Sequence, residues 1–286
     1  MELSTANLNA FYILAQERNF SRAARRLALS QPAFSQRIMN LERELETTLV
    51  VRDKKNLGLT PDGERLLRYC EVNRQIEEEF LHELKATRGT ELRGSLRIGG
   101  FSSVMRSLLV PALAPLLRKH AGLSLQTFTA ELRDVIPLLR ESRADFVLHN
   151  RPAEHESLES VLLGYEENVL VSSKRYSDTE TYLDHDENDP TTTAYFALSK
   201  SKAQARKRYL DDVYGLLDGV KLGLGKAVLP RHLVDERELK IESPSRVLRV
   251  PVHLVYRRGP YYTQVQKLAI EAITEHFRGH LSQRAP

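Results

Sequence analysis

The stretch FSRAARRLALSQPAFSQRIMNLEREL, residues 20–45, contains two short helical patterns separated by a turn. Ser21 is the expected N-cap of the first helix, which the apolar spacing predicts over residues 22–28. Ser30 can cap the second helix, and Pro32 falls in its first turn, where a missing N–H costs little. Two short helices joined by so tight a turn predict a helix-turn-helix.

The second of these helices has one apolar face and one polar face. Four apolar residues recur at helical spacing and form one narrow stripe: Phe34, Ile38, Leu41 and Leu45. The opposite face carries Pro32, Gln36, Met39, Asn40 and Arg43, with Ser35 beside them. Amide, hydroxyl and guanidinium groups bind base edges and phosphates, so we expect this helix to enter a major groove.

Basic charge is concentrated around the same stretch. Residues 18–55 hold nine Lys and Arg against four Asp and Glu, an excess of five, whereas the whole chain has a net charge of +4. The segment LVVRDKKNLGLT, residues 49–60, places a basic turn between two short apolar runs, which predicts a β-wing that contacts DNA. A solvated helical face and an ordinary hairpin are the alternatives.

The composition excludes several classes of protein. A chain of 286 residues is long enough for two or more domains. Cys70 is the single cysteine, which excludes a disulfide framework and a four-thiolate zinc site. Since no apolar run reaches the length of a bilayer span, we expect a cytoplasmic protein that binds neither a membrane nor a cofactor.

A long helix is predicted from residue 61 to residue 87. Five of its residues follow steps of four, three, four and four, which approximates a coiled-coil seam: Tyr69, Asn73, Ile76, Phe80 and Leu84. A single long helix is only marginally stable in water, so a partner helix from a second subunit is expected. The predicted assembly is a homodimer or homotetramer, and the alternative is packing of this helix against the chain's own domain.

Beyond Gly94 the pattern changes to alternating strands and helices, which predicts an α/β domain with a parallel sheet. The predicted strands are SLRIGGF, LSLQTFTA, DFVLHN, LESVLL, ENVLVSS, AYFALS and VPVHLVYRR. YLDHDENDPTTT is interpreted as a polar loop, and residues 263–277 as a closing helix. If AYFALS is a strand, only residues 200–210 remain before the next helix, too few for a further helix and strand.

The segment NFSRAARRLALSQPAFSQRIMNLERELETTLVVRDKKNLGLTPDGERLL resembles the N-terminal domain of LysR-type transcriptional regulators. The shared motifs are the aromatic-Ser-x-Ala-Ala block, Ser-Gln-Pro-Ala-x-Ser, Ile-x-x-Leu-Glu, Leu-x-x-Arg and Leu-Thr-x-x-Gly-Glu. The resemblance implies winged helix-turn-helix DNA binding by residues of the recognition helix and the wing: Gln31, Pro32, Ser35, Gln36, Arg37, Arg52 and Lys54.

The remainder resembles, more loosely, the effector domain of the same regulators, which has two Rossmann-like lobes of periplasmic-binding-protein type. The resemblance implies a DNA-binding domain at residues 1–60, a dimerisation (linker) helix at 61–90 and an effector domain at 91–286. Lobe I would comprise about 91–164 and 250–286, and lobe II about 165–249, with lobe II abbreviated. An abbreviated lobe II would cover less of a ligand bound between the lobes, so we expect the ligand to bind weakly or to be very small.

The same resemblance implies which residues face a small-molecule effector: Ser102, Ser103, His149 and Asn150 on one side, Thr193 and Asp212 on the other. Simple helix capping is the alternative for each. The Ser-Gln-Arg-Ile and Leu-Val-Val-Arg variants are similar to the branch of the family that senses basic amino acids. That branch favours an acidic group near Ser102, and we expect none there.

We therefore predict a sequence-specific DNA-binding transcriptional regulator of LysR type, modulated by a small molecule in the cleft between the lobes. Its predicted partners are a double-stranded DNA operator, a second copy of the chain and the effector, with RNA polymerase as a further candidate. A ligand-independent architectural protein and an enzyme are the alternatives. GVKLGLGKA lacks phosphate-loop spacing, DHDENDP lacks the calcium-loop glycine, and His276 and His280 lack a third metal ligand.

Overall fold

The computed structural model describes residues 3–52, 57–84, 92–176, 180–199, 206–259 and 261–285. The N-terminal domain consists of three helices and a two-stranded wing: α1 (Thr5–Glu17), α2 (Phe20–Arg26), α3 (Gln31–Glu44), β1 (Val50–Arg52) and β2 (Leu57–Leu59). The wing strands are antiparallel. The helix-turn-helix and the strands of the wing predicted from the sequence are therefore present.

The apolar stripe on α3 forms the centre of this domain. Phe34, Ile38 and Leu41 are each at most 1% exposed. The Ser30 side chain accepts a hydrogen bond from the Ala33 N–H, as predicted. The predicted cap of α2 is wrong: Asn19, rather than Ser21, takes the extended N-cap conformation and accepts a hydrogen bond from the Arg22 N–H at 3.0 Å.

One long helix, α4 (Pro61–Leu84), leaves the wing; the rest of its predicted span, residues 85–87, lies outside the described residues. Thr60 caps it by accepting a hydrogen bond from the Gly63 N–H at 3.0 Å. A Cβ on Gly63 would lie 2.1 Å from the Leu49 carbonyl oxygen, so only glycine fits here. This close contact fixes the direction in which α4 leaves the DNA-binding domain.

Helix α4 also packs against the chain's own C-terminal domain, the alternative considered for it. Arg68 pairs with Asp145, and both side chains are less than 10% exposed. Glu71 accepts from Arg68 Nη1 at 3.1 Å and from Arg97 Nη2 at 3.0 Å. The Arg97 N–H donates to Asp145 Oδ2 at 2.9 Å, which closes a network between the helix and the sheet.

The C-terminal domain contains eight helical segments and nine strands within the described ranges. In chain order these are β3 (Gly94–Gly100), α5 (Ser102–Val104), a π-helical turn (Met105–Leu109), α6 (Val110–Lys119), β4 (Leu123–Thr129), α7 (Leu132–Arg140), β5 (Phe146–His149), β6 (Leu158–Ser173), β7 (Thr181–Asp184), α8 (Thr191–Ala197), β8 (Arg206–Tyr209), α9 (Val213–Lys221), β9 (Ala227–Pro230), a 3₁₀ turn (Arg231–Leu233), β10 (Leu239–Ile241), β11 (Leu248–Arg257) and α10 (Gln264–His280). Thr263 caps α10 through a capping box.

Seven of these strands form one mixed sheet, in which β3 is parallel to β4 and β5 as predicted. Strand β6 is a single strand of 16 residues, although LESVLL and ENVLVSS were predicted as two. It contributes Leu163 to one apolar core and Val169 to another, and β11 runs antiparallel beside it. One of these cores belongs to each of the two lobes, and β6 and β11 cross between the lobes.

The predicted gap in the second lobe is wrong. AYFALS belongs to α8 and the turn after it instead of forming a strand, because Thr192 and Tyr195 are both buried at helical spacing. The strand lies earlier, at β7, and pairs in parallel with β8. A helix and a paired strand are thus present in this part of the second lobe, in a short form of seven and four residues.

Candidate DNA-binding surface and effector cleft

The recognition helix α3 exposes its polar end. The predicted DNA-contact residues on it lie within one seven-residue stretch: Gln31, Pro32, Ser35, Gln36 and Arg37. Gln31, Pro32 and Gln36 are exposed, and Ser35 and Arg37 are half-buried. Gln36 Nε2 donates to Asn40 Oδ1 at 2.8 Å, which orders one amide on the exposed face. This end can present amide and hydroxyl groups to base edges.

The wing is tied directly to the recognition helix. Glu42 Oε1 accepts hydrogen bonds from the N–H groups of Leu49 and Val50, at 2.8 and 3.3 Å. Arg52 ends strand β1, and Lys54 lies outside the described residues. Because the carboxylate of α3 holds the start of β1, the wing and the helix keep a fixed relative position.

Part of the basic charge of this domain is used internally. Arg22 and Arg26 of α2 pair with Glu17 at the end of α1, at 3.3 and 3.0 Å. All three side chains are partly exposed, so each pair adds little stability. The pairs nevertheless orient α2 on α1, and the sequence alone could not distinguish these arginines from those available to DNA.

The predicted dimer residues on α4 do not share one environment. Phe80 is 56% exposed, Tyr69 is 48% exposed and Asn73 is exposed, whereas Ile76 is half-buried. Tyr69 and Ile76 border a groove between α4 and the chain's own sheet. The side chain of Leu84 lies outside the description. The exposed apolar surface is therefore concentrated near Phe80, where Leu81 is 44% exposed.

A cleft of about 740 Å³ lies between the two lobes. Four of the predicted effector residues line it: Ser102, Ser103, Asn150 and Asp212. His149 and Thr193 are not among the lining residues. The His149 ring instead donates from Nε2 to the Leu132 carbonyl at 3.2 Å and accepts at Nδ1 from the Arg151 N–H at 3.1 Å. Thr193 is exposed, while its neighbours Thr191 and Ala194 face the cleft.

The floor of the cleft holds a buried carboxyl group, Glu166. Its Oε1 accepts a hydrogen bond from Ser103 Oγ at 2.8 Å. Burial raises the pKa of Glu166 from 4.5 to about 7, against the opposing effect of side-chain hydrogen bonds from Ser103 and Asn168. His232 Nε2 lies 3.8 Å from Glu166 Oε1, and burial lowers the pKa of the His232 imidazole.

Glu166 corrects the expectation that no acidic group lies near Ser102. The two residues are far apart in sequence and meet only because β6 passes beneath the start of α5. The one sequence signal was a pair of glutamates, Glu166 and Glu167, inside an otherwise apolar strand pattern. In a strand, neighbouring residues face opposite sides, so only one of the two can enter the cleft.

Carboxylates make up most of the charged residues that line the cleft. Besides Glu166, they are Glu131, Asp184, Asp186, Asp189, Asp211 and Asp212, and one arginine, Arg133, lines the cleft with them. Asp184 is 1% exposed and is neutralised by Lys207 Nζ at 2.7 Å. Asp212 Oδ1 caps α9 by accepting from the N–H groups of Tyr214 and Gly215. The net charge of the lining is therefore negative, which suits a cation.

The described residues contain no group of three or more His, Cys, Asp and Glu suited to a metal ion. The rings of His276 and His280 stack at 4.1 Å on α10. Nor does any helix in the described parts of the chain have the length and apolarity needed to cross a membrane.

A winged helix-turn-helix domain, a long helix and a two-lobed α/β domain with a cleft define a DNA-binding regulator that responds to a small molecule. Residues 5–64 match the family of bacterial regulatory helix-turn-helix proteins, lysR family, and residues 89–278 match the LysR substrate binding domain. The chain belongs to the LysR family of transcriptional regulators. The fold class and the general function predicted from its sequence are confirmed.

Relatives and solved structures agree over most of the chain. The HTH-type transcriptional regulator YofA of Bacillus subtilis (strain 168) is 24% identical over 291 residues, 96% of this chain and 99% of that protein. The regulator HdfR of Yersinia enterocolitica is 33% identical over 175 residues, 60% of this chain and 57% of that protein. ArgP from Mycobacterium tuberculosis has a TM-score of 0.74 at 19% identity, covering 99% of this chain and 100% of that one. Full-length LysG from Corynebacterium glutamicum with bound effector Arg has a TM-score of 0.70 at 16% identity, covering 98% and 100%. These two structures show a shared fold.

Proposed function

We propose that α3 reads the operator in a major groove, through Gln31, Pro32, Ser35, Gln36 and Arg37. The observation that carries this assignment is the exposed polar end of α3 above a fully buried apolar face. Arg52 and Lys54 in the wing then contact the DNA backbone. Selection of bound fragments from random double-stranded DNA identifies the operator, and binding titrations on the selected site test each residue.

We propose that two subunits associate through α4, near Phe80, and bind a two-part operator. The exposed apolar surface of Phe80 and Leu81 supports this arrangement. We also propose the division into residues 1–60, 61–90 and 91–286, with lobe I at about 91–164 and 250–286 and lobe II at about 165–249. Sedimentation velocity on the full chain tests the assembly. RNA polymerase as a partner, and the absence of enzymatic activity, stay predictions.

We propose that the effector is a small cation with the character of a basic amino acid. The excess of carboxylates in the cleft supports this, and Glu166 offers a carboxyl group that a bound cation would keep ionised. The similar structure of LysG was solved with bound effector Arg. The cleft volume of about 740 Å³ is ordinary for a small-molecule site, so a small second lobe does not require weak binding.

A thermal-shift comparison of L-arginine, L-lysine and L-glutamate tests the charge of the effector. A cation present at 100 times its Kd should add about 2.7 kcal/mol of stability, and L-glutamate should add none. Asp212→Asn keeps the cap of α9 but removes one charge, so it should weaken cation binding. Asp218→Asn removes a charge from the exposed side of the same helix and serves as the control. Equal shifts with all three amino acids would contradict the proposal.

A further inference from the structure

A second pocket of about 570 Å³ lies on the far side of the strands that join the two lobes. This rear pocket is lined by Tyr165, Glu167, Arg231, His232, Arg249 and the segment 279–284. Side chains alternate along the crossing strands: Glu166 faces the effector cleft, and its neighbour Glu167 faces the rear pocket. The two strands therefore separate an acidic cleft from a second, chemically different pocket.

The rear pocket has more positive than negative charge. Glu167 is the only carboxylate among its lining residues, all of which the structure describes. Arg249 already occupies it, with Nε and Nη2 at 3.1 and 3.0 Å from Glu167 Oε1. Arg231 and Arg284 line the same pocket, so two guanidinium charges remain in excess.

Arg231 is held in place by a backbone hydrogen bond and a long ion pair with Glu167, and one of its donors has no acceptor among the described residues. Its Nη2 donates to the Pro244 carbonyl at 3.2 Å, which fixes the side chain. Its Nε is buried and makes no hydrogen bond, since the nearest carboxylate oxygen, Glu167 Oε2, is 3.6 Å away. Arg284 forms no ion pair with the described residues. The Arg231 side chain as a whole is 40% exposed, so the rest of its guanidinium group is open to a ligand in the pocket.

The C-terminal segment forms an ordered wall of this pocket. Tyr165 and Ser282 exchange two backbone hydrogen bonds, at 2.8 and 3.1 Å. Gln283 Nε2 donates to the Leu163 carbonyl at 3.2 Å. Gly164 has a φ of +146°, and a Cβ there would lie 2.8 Å from Gln283 Nε2 and Leu281 Cβ. The glycine therefore lets the segment lie directly on β6 and places Arg284 at the pocket.

We propose that the rear pocket binds the phosphate or carboxylate group of a small anion, held between Arg231 of lobe II and Arg284 of lobe I. Arginine forks match the geometry of both oxyanions. The anion competes with Glu167 for these guanidinium groups. Because its contacts come from both lobes, its binding is linked to their relative orientation and hence to the effector cleft.

Calorimetric titration of the full chain with inorganic phosphate, and separately with succinate, tests the proposal. Sodium chloride keeps the ionic strength constant. We expect saturable binding of at least one anion, with one site per chain, and the stronger of the two identifies the preferred head group. Arg284 is exposed, so its replacement should leave the fold intact. Arg284→Gln should weaken anion binding about tenfold, equivalent to 1.4 kcal/mol. Combining it with Arg231→Gln should abolish it.

Two further variants separate this site from general attraction of anions. Arg237→Gln removes an exposed arginine of lobe II that pairs with Asp235, and binding should be unchanged. Glu167→Gln removes the competing carboxylate, so anion affinity should rise several-fold, an effect that misfolding cannot imitate. No saturable binding of either anion would overturn the proposal. Equal losses in Arg237→Gln and Arg284→Gln, or a loss of affinity in Glu167→Gln, would also overturn it.

Discussion

Replacing Glu166 with glutamine removes a buried carboxyl group of the effector cleft that, unlike Asp184, has no lysine or arginine of the described residues beside it, and it preserves the shape of the side chain. Ser103 Oγ donates to Oε1 in the native protein and can donate to the amide oxygen of the variant. An acid whose pKa rises from 4.5 to about 7 on folding is destabilised as a carboxylate by about 3 kcal/mol. Glutamine avoids this cost because it carries no charge.

The sign of the effect depends on pH. Well below pH 4.5 the carboxyl group is protonated in both the folded and unfolded states, and it contributes no penalty. Between pH 4.5 and about 7 the unfolded chain releases the proton while the folded protein retains it, so folding becomes less favourable. Glu166→Gln should therefore be more stable than the native protein by about 3 kcal/mol at pH 8 and by about 1 kcal/mol at pH 5.

Urea denaturation followed by circular dichroism at pH 5, 6, 7 and 8 measures this difference. Glu167→Gln is the matched control, because the neighbouring carboxylate is half-buried on the opposite face and pairs with Arg249 at 3.0 Å. That variant should show no stabilisation that grows with pH. A constant difference between Glu166→Gln and the native protein from pH 5 to pH 8 would refute the reasoning.

Three other predictions concern DNA, assembly and the contact between domains. Gln31→Ala should reduce the binding free energy for the selected operator by about 1–3 kcal/mol and make the protein less selective for its sequence. Arg52→Ala should weaken binding to every DNA sequence and, in binding titrations, reduce the dependence of log affinity on log salt concentration by about 1. An unchanged slope would exclude a phosphate contact by Arg52. Phe80→Asp would place a charge in the proposed subunit contact and should produce monomers in sedimentation velocity; a native protein that is already monomeric at micromolar concentration would contradict this. Arg68→Ala leaves Asp145 buried without its partner and should cost about 3–5 kcal/mol in urea denaturation, while a loss below 1 kcal/mol would mean that the network adds little.

The sequence by itself determined the N-terminal domain, its relation to the LysR family and the α/β class of the rest. Local signals were sufficient because helix spacing, caps and the short wing depend on residues close in the chain. The stripe of Phe34, Ile38 and Leu41 is buried as predicted, and Ser30 caps α3. The elements of the second lobe were harder to predict from the sequence. Helix α8, which contains Tyr195, has only seven residues, and so few turns do not distinguish helical spacing from the alternation of a strand.

Only the tertiary structure decided which charges face each pocket. Glu166 and Ser103 lie 63 residues apart in the sequence. No local pattern predicts that strand β6 carries the Glu166 carboxyl group to the Ser103 hydroxyl on α5. The crossing of β6 and β11 between the lobes turns alternate residues to opposite sides, so adjacent glutamates enter an acidic cleft and a basic pocket. The pKa of Glu166 likewise depends on burial, a property of the whole fold and not of neighbours in sequence.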